Sequence, residues 1–377
     1  MKVASVIGAR PQFVKAAVVG RALHEFPEVH PLLVHTGQHY DQMMSKVFFE
    51  DLDIPAPDYD LEIGSGSHGE QTGRMLIALE QLLLEIRPAA VIVYGDTNST
   101  LAAVLAAVKL HIPVLHVEAG LRSFNRRMPE EINRVLADHA SDILFAPTDR
   151  AVTNLLREGF DKDCIYEVGD VMYDAALLYG DRAEARSHVL PKLGVSPHSY
   201  ALATIHRAEN TDDRERLDVI CGTLRRVSTR MPVVFPVHPR TRKMLKSLGL
   251  EDSLQHVHLI DPVGYLDMVM LEKNARLIMT DSGGVQKEAF FYQVPCITMR
   301  DETEWVELVD LGWNRLAPPT SVEAQMQEIE AILKSPPAVE AQPYGAGDAG
   351  QKIARIIADR YLDQPAALSS AGKQSRC

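Results

Sequence analysis

Four cysteines in 377 residues (Cys164, Cys221, Cys296, Cys377) stand far apart, without the paired spacing of a zinc site or a disulfide framework. The longest apolar run, Leu101 to Val108, falls far short of the ~20 residues that cross a bilayer. The opening residues have no signal-peptide layout, and a cytoplasmic location is expected. Basic residues are outnumbered: 39 Lys and Arg against 51 Asp and Glu leave a net charge of -12. That balance excludes broad binding to nucleic acid or to anionic membranes. It leaves room for an anionic small substrate in one local basic pocket. The G-x-G-x-x-G spacing of dinucleotide folds and the G-x-x-x-x-G-K spacing of ATP-type phosphate loops are also missing. No redox cofactor and no metal site are signalled. What is present is an ordinary globular mixture, 46% hydrophobic and 24% charged.

At ~150 residues per domain the length suits two domains. Short β-branched runs alternate with helix-length amphipathic segments. Val3–Ile7, Pro31–His35, Ala89–Tyr94, Pro113–Val117, Ile143–Ala146 and Ile165–Val168 read as buried parallel strands. The pattern pauses at Arg186–Ser199, where Pro191, Gly194 and Pro197 predict a linker. It restarts with Tyr200–Ile205, Val233–Val237, His256–Ile260, Arg276–Thr280 and Pro295–Met299. The fold expected is α/β, two Rossmann-like doubly wound domains facing a cleft. They span 1–170, carrying acid/base carboxylates, and 171–350; a final helix spans about 351–362, and 363–377 is expected to be a disordered tail.

In such sheets ligands sit beyond the carboxyl ends of the strands. Seven segments are candidates for that place. Gly8-Ala9-Arg10-Pro11 with Lys15 puts cations near a helix N-terminus, which suits an anion, although Lys15 reads equally as a solvated helix residue. Asp96, in Gly95-Asp96-Thr97, is either a helix cap or a chemical carboxylate. On the next strand, alternation places His116 and Glu118 on one face, with an ion pair from Arg122 as the structural alternative. In Pro129-Glu130-Glu131, acids favour the helix dipole; Glu130 has Arg134 at i,i+4, whereas Glu131 lacks such a partner on its face. His206-Arg207 and His238-Pro239-Arg240 end consecutive strands, and their spacing does not suit a metal. Asp281-Ser282-Gly283-Gly284, between a strand and a helix, lets a phosphate approach backbone N–H groups, with Glu288 one turn further in for a ribose diol. Together these read as a nucleoside diphosphate site in the second domain and carboxylates in the first.

In family order, these signatures resemble the non-hydrolysing UDP-N-acetylglucosamine 2-epimerases over nearly the whole chain. The resemblance implies the glycosyltransferase-B arrangement, a homodimer, and a last helix that returns to the first domain. It implies anti elimination of UDP to a 2-acetamidoglucal and re-addition after protonation of the opposite face of C2, without a cofactor. Asp96, Glu118 and Glu131 then correspond to the acid/base carboxylates, and His206 to a catalytic or phosphate-contacting residue. Arg10, Lys15, Arg207, His238, Ser282, Gly283, Gly284 and Glu288 correspond to substrate-binding positions, with Val263 and Met268 at the uracil. Gln38, Gln42, Arg74 and His238 match a second, activating UDP-sugar site of bacterial members. One departure stands out. Thr303-Glu304-Trp305-Val306-Glu307 has an indole where much of the family has arginine, which resembles the branch acting on UDP-2,3-diacetamido-2,3-dideoxyglucuronate. That substrate is the alternative to UDP-GlcNAc, and a glycosyltransferase of the same fold is a more distant one. For the uronate, Arg126 or Arg127 would pair with its carboxylate and Trp305 would pack on the extra acetamido group.

Overall fold

The structure is a computed structural model that describes residues 1–38, 55–335, 337 and 341–362. Gln42 and the 363–377 tail lie outside the described residues. The chain forms two compact units: Met1–Ala175 together with the segment from Gln342, and Ala176–Ala341.

The first unit is built on strands β1 (Lys2–Ile7), β2 (His30–His35), β3 (Tyr59–Asp60), β4 (Ala90–Tyr94), β5 (Val114–Val117), β6 (Ile143–Ala146) and β7 (Ile165–Glu167). They lie parallel in the order β3-β2-β1-β4-β5-β6-β7. The central strands β4 and β5 are buried along their whole length, as expected of strands covered by helices on both faces. Chain order reverses at β1, which pairs with β2 on one side and β4 on the other. This is the switch point where the loops after adjacent strands diverge and open a crevice. The final helix, Ala349–Leu362, packs on the first, Arg10–Leu23. Gly350 permits this closeness, since a Cβ there would stand 2.7 Å from a Val18 methyl.

The second unit repeats the plan with β8 (Ala201–Thr204), β9 (Val233–Pro236), β10 (His258–Ile260), β11 (Leu277–Thr280), β12 (Cys296–Thr298) and β13 (Asn314–Leu316). The order is β10-β9-β8-β11-β12-β13, all parallel, and its switch point lies between β8 and β11.

The expected linker is not a linker. Arg186–Ser199 contains the short helix Val189–Leu193, and Val189, Leu190 and Val195 are buried with Tyr200 and Leu202 in the second unit's core. Proline and glycine there mark chain reversals, while the apolar residues between them still find a hydrophobic face. The unit boundary falls instead inside the helix Val171–Arg186. No helix among the described residues is long and apolar enough to cross a membrane.

Candidate active site

Three loops at the switch point of the first sheet carry the expected residues. After β1, the helix begins at Arg10, whose side chain lies outside the described residues, and Lys15 follows on the same helix, buried. After β4 comes Gly95-Asp96, and after β5 comes Glu118. Lys15 forms an ion pair with Glu118 and Arg134 forms one with Asp96. Lys15 is therefore not a solvated residue, and Glu118 is paired by Lys15 rather than by Arg122. Asp96 does not cap its helix; Thr97 does, accepting from the Thr100 N–H. Gly95 (φ +60°) is required where it stands: a Cβ would lie 3.0 Å from a Glu118 carboxylate oxygen and 3.6 Å from the Lys15 ammonium.

Strand alternation does not aim Glu118. β5 ends at Val117, and Glu118 adopts a left-handed φ of +72°, a costly conformation for a residue of its size that tends to persist at functional sites. Burial raises the Asp96 carboxyl above its ordinary range. Arg134 opposes the rise, the Glu118 charge adds to it, and Lys15 opposes it. A carboxyl shifted towards neutrality beside a second carboxylate is the kind of arrangement that proton transfer requires.

Glu131 differs from the expectation. Its carboxylate accepts from the Ser123 N–H and hydroxyl and from the Phe124 N–H, each at 2.9 Å. It also meets Arg134 at 3.3 Å, an i,i+3 neighbour, so it does have a partner on its own helix. Those donors make Glu131 the anchor of the 122–127 loop, on which Arg126 and Arg127 are exposed. Gln12 was not anticipated at all. Its amide oxygen accepts from the Gly8 and Ala9 N–H groups, and its nitrogen donates to Tyr94 O and to the Thr97 and Thr100 hydroxyls. It ties the first loop to the second.

In the second unit the loops after β8 and β11 meet at its switch point. Fully buried Asp281 accepts from the backbone N–H groups of His206 (3.0 Å) and Arg207 (3.1 Å) and from the Asn210 amide (3.0 Å). It thereby fixes the His206-Arg207 turn. The His206 and His238 rings lie 6.4 Å apart, and His238 caps the Pro239–Ser247 helix. Burial pushes the His206 imidazole below its ordinary range, against the pull of Asp281 and with help from His238 and Arg207. Ser282 holds the N-cap position of the helix Gly283–Phe291 without a capping side-chain bond. Gly283 admits the Glu304 carboxylate, which a Cβ would strike. Burial would raise Glu304, yet Arg300 (2.8 Å) and Arg207 outweigh it and hold the carboxyl low. Glu288 sits one turn into the helix, and burial pushes it up to about 7 against the opposing charge of Lys287. Val263 and Met268 are half-buried against the same core.

Trp305 cannot serve as a surface for an acetamido group. The indole is 8% exposed, its N–H donates to Gly283 O at 2.9 Å, and the Lys287 ammonium lies 4.3 Å from its ring centroid. It braces the glycine turn. A cation that the sequence reading missed lies nearby: Arg300, bonded to Glu304. Arg300 follows β12, and the same strand-end rule that located the other residues could have found it.

Of the positions matching a second UDP-sugar site, Gln38 accepts from the Ser99 N–H and hydroxyl, and Arg74 donates to Ser65 O.

Two doubly wound units, one with juxtaposed carboxylates and the other with a glycine turn among cations, define an α/β enzyme with an anionic substrate. The family profile described as UDP-N-acetylglucosamine 2-epimerase matches residues 21–358. The UDP-2,3-diacetamido-2,3-dideoxy-D-glucuronate 2-epimerase of Pseudomonas aeruginosa is 51% identical, covering 95% of this chain and 99% of that protein. The UDP-N-acetylglucosamine 2-epimerase of Methanocaldococcus jannaschii is 47% identical, with the same 95% and 99% coverage. The crystal structure of Methanocaldococcus jannaschii UDP-GlcNAc 2-epimerase in complex with UDP-GlcNAc and UDP superposes with a TM-score of 0.84 at 46% identity, covering 95% and 99% of the two chains. That of the Neisseria meningitidis enzyme bound to UDP-GlcNAc gives 0.85 at 31% identity, with the same 95% and 99% coverage. The chain belongs to the UDP-N-acetylglucosamine 2-epimerase family, whose members are isomerases.

Proposed function

We propose that the protein inverts C2 of a UDP-linked N-acetylhexosamine, converting UDP-GlcNAc to UDP-ManNAc. The observation that carries this reading is the pair Asp96 and Glu118, held by Arg134 and Lys15 at one switch point. C2 is weakly acidic, so a positioned carboxylate must take its proton. The C1–O bond then breaks, its electron pair leaves on UDP, and a C1–C2 double bond remains. Return of a proton to the opposite face of C2, with attack of UDP on C1, completes the inversion. In the second unit the departing charge is met by His206, Arg207, His238, the Ser282 hydroxyl and the N–H groups of Gly283 and Gly284. Glu288 accepts from the ribose, and Val263 and Met268 line the uracil. The chemistry requires no cofactor. Glu131 acts through the loop it anchors.

A second reading has its own support. Arg126 and Arg127 are exposed on that loop, and arginine suits bidentate recognition of a uronate carboxylate. The 51% identity to the diacetamidoglucuronate enzyme favours the same substrate. We also place the protein in the cytoplasm as a homodimer that supplies polysaccharide biosynthesis. Exposed Ile77 and Leu84 on one helix, and Ile132 and Leu136 on another, support a protein interface.

The test is solvent exchange. In heavy water, UDP-GlcNAc or its diacetamido uronate analogue should acquire deuterium at C2 in both epimers. Epimerisation that retains the original C2 hydrogen rejects the mechanism, and absence of any C2-inverted product rejects the epimerase reading. Comparing kcat/KM on the two sugars in wild type, Arg126→Ala and Arg127→Ala decides the substrate. Equal losses on both sugars remove the carboxylate-recognition argument.

A further inference from the structure

A buried polar chain lies behind the Gly95-Asp96 turn, and the chemistry above does not use it. His116 on β5 is fully buried. Its Nε2 is 2.7 Å from Gly95 O and its Nδ1 is 2.7 Å from Asp138 Oδ1. A carbonyl only accepts, and so does an ionised carboxylate. Burial alone would raise the Asp138 carboxyl, but His116 and Arg122 outweigh it and hold the group below its ordinary range. Each ring nitrogen thus faces an acceptor. The other Asp138 oxygen accepts from the Gly120 N–H at 3.1 Å and from Arg122 Nη1 at 2.7 Å. Arg122 spends Nε and Nη2 on Glu158, at 2.7 and 2.8 Å. From the far side, the Asn154 amide holds Gly120 O at 3.0 Å.

The two backbone groups at the ends of this chain are the informative ones. Gly95 (φ +60°) immediately precedes Asp96, and Gly120 (φ +80°) closes the turn that holds Glu118 at φ +72°. One His–Asp pair thus grips the carbonyl before one carboxylate and the amide two residues after the other. An apolar side chain of similar size would fill the volume, yet it would leave Gly95 O and the Gly120 N–H without partners. Reacting groups need placement to about 0.5 Å, which loops achieve only when their backbone is held by bonded side chains.

We infer that His116 and Asp138 are positioning residues that fix the directions of Asp96 and Glu118 through Gly95 O and the Gly120 N–H. The inference rests on the reading of Asp96 and Glu118 as the reacting carboxylates.

The experiment has two arms. In protein labelled with 15N-histidine, His116, identified by signals lost in His116→Gln, should show two ring N–H resonances protected from solvent exchange. One ring N–H, or two that exchange freely, overturns the clamp, whatever the enzyme's activity. In the second arm, Asp138→Asn and His116→Gln are assayed on UDP-GlcNAc and the diacetamido uronate. A misplacement of this kind costs about 100-fold, so kcat should fall by about that factor while KM and the UDP dissociation constant change less than about twofold. His116→Gln, which can still donate to Gly95 O, should retain more turnover than His116→Leu. Unchanged kcat in a folded variant overturns the inference, as do equal losses in kcat and in UDP affinity. If wild type exchanges no C2 hydrogen on either sugar, the epimerase reading fails by itself, and the NMR arm still reports on the clamp.

Discussion

Replacing Glu118 with glutamine removes a charge while keeping size and one acceptor for Lys15. Three effects should appear together. Turnover should fall by about 10²- to 10⁴-fold, the range of general acid–base contributions, which at ~1.4 kcal/mol per decade is roughly 3–5 kcal/mol of barrier. The Asp96 carboxyl should move down. Burial still raises it and Arg134 still opposes that, but the repulsion from Glu118 that adds to the rise is gone. Residual activity should therefore keep its ionised Asp96 to lower pH, shifting the acid limb of kcat/KM in that direction. Lys15, only 7% exposed, loses its counter-charge. Breaking one side of a buried pair costs about 3–5 kcal/mol, and the carboxamide acceptor holds the loss near the lower end. UDP affinity, assigned to the second unit, should stay within about twofold by calorimetry. The assay is C2 inversion followed by proton NMR, run from pH 5 to 9 beside thermal unfolding. If Glu118→Gln melts earlier but turns over at more than a tenth of the wild-type rate, Glu118 is an anchor for Lys15 and the proton chemistry lies elsewhere.

Glu288, pushed up to about 7 by burial, should accept most strongly from the ribose above that pH. UDP affinity should then weaken from pH 8 to 6 by more in wild type than in Glu288→Gln, a difference that cancels the titration of UDP itself; parallel profiles reject the role. Asp174 is raised from 3.8 to about 6 by burial, against the N–H groups of Gly350 and Ala349 that bind it. A folded-state value above the unfolded one means that its contribution to stability is present at low pH and is lost as pH rises from about 4 to 6. Asp174→Asn keeps an acceptor for the Gly350 N–H, so it should flatten that slope and add up to about 3 kcal/mol at pH 7; identical slopes in both proteins refute this. Trp305→Phe keeps the packing and deletes the bond to Gly283 O, so UDP affinity should fall roughly 3- to 10-fold, the worth of one hydrogen bond. Unaltered affinity would show that the glycine turn needs no brace.

Much of the architecture was legible because parallel strands buried on both faces are continuous β-branched runs, as in Ala90–Tyr94 and Leu277–Thr280. The two strands that escaped notice, Tyr59–Asp60 and Asn314–Leu316, are two and three residues long and lie at sheet edges. An edge strand that short needs no apolar run, because a single neighbour defines it. The supposed linker failed for a related reason. Turn-forming residues were present, but whether a turn separates domains depends on what its apolar neighbours touch, and Val189 and Leu190 touch a core made of residues far along the chain.

The site divides along a similar line. Residues that sit at strand ends were found because topology alone sends them to the switch point. Their partners were not, because a buried polar contact requires only proximity in space. Gln12 meets Tyr94 O across 82 positions, and His116 meets Asp138 across 22, so no window of sequence contains either pair. Residue type also says nothing about how many lone pairs are already taken. Asp96 and Glu131 are both carboxylates beside Arg134, and both were expected to do chemistry. Among the described residues the Asp96 carboxylate accepts from Arg134, and the Lys15 charge also acts on it. Glu131 is 3% exposed and spends both oxygens on Ser123, Phe124 and Arg134. Those bonds tie Glu131 to the 122–127 loop, and removing its carboxylate would release Ser123 and Phe124. That asymmetry is visible only once the donors around each group are known.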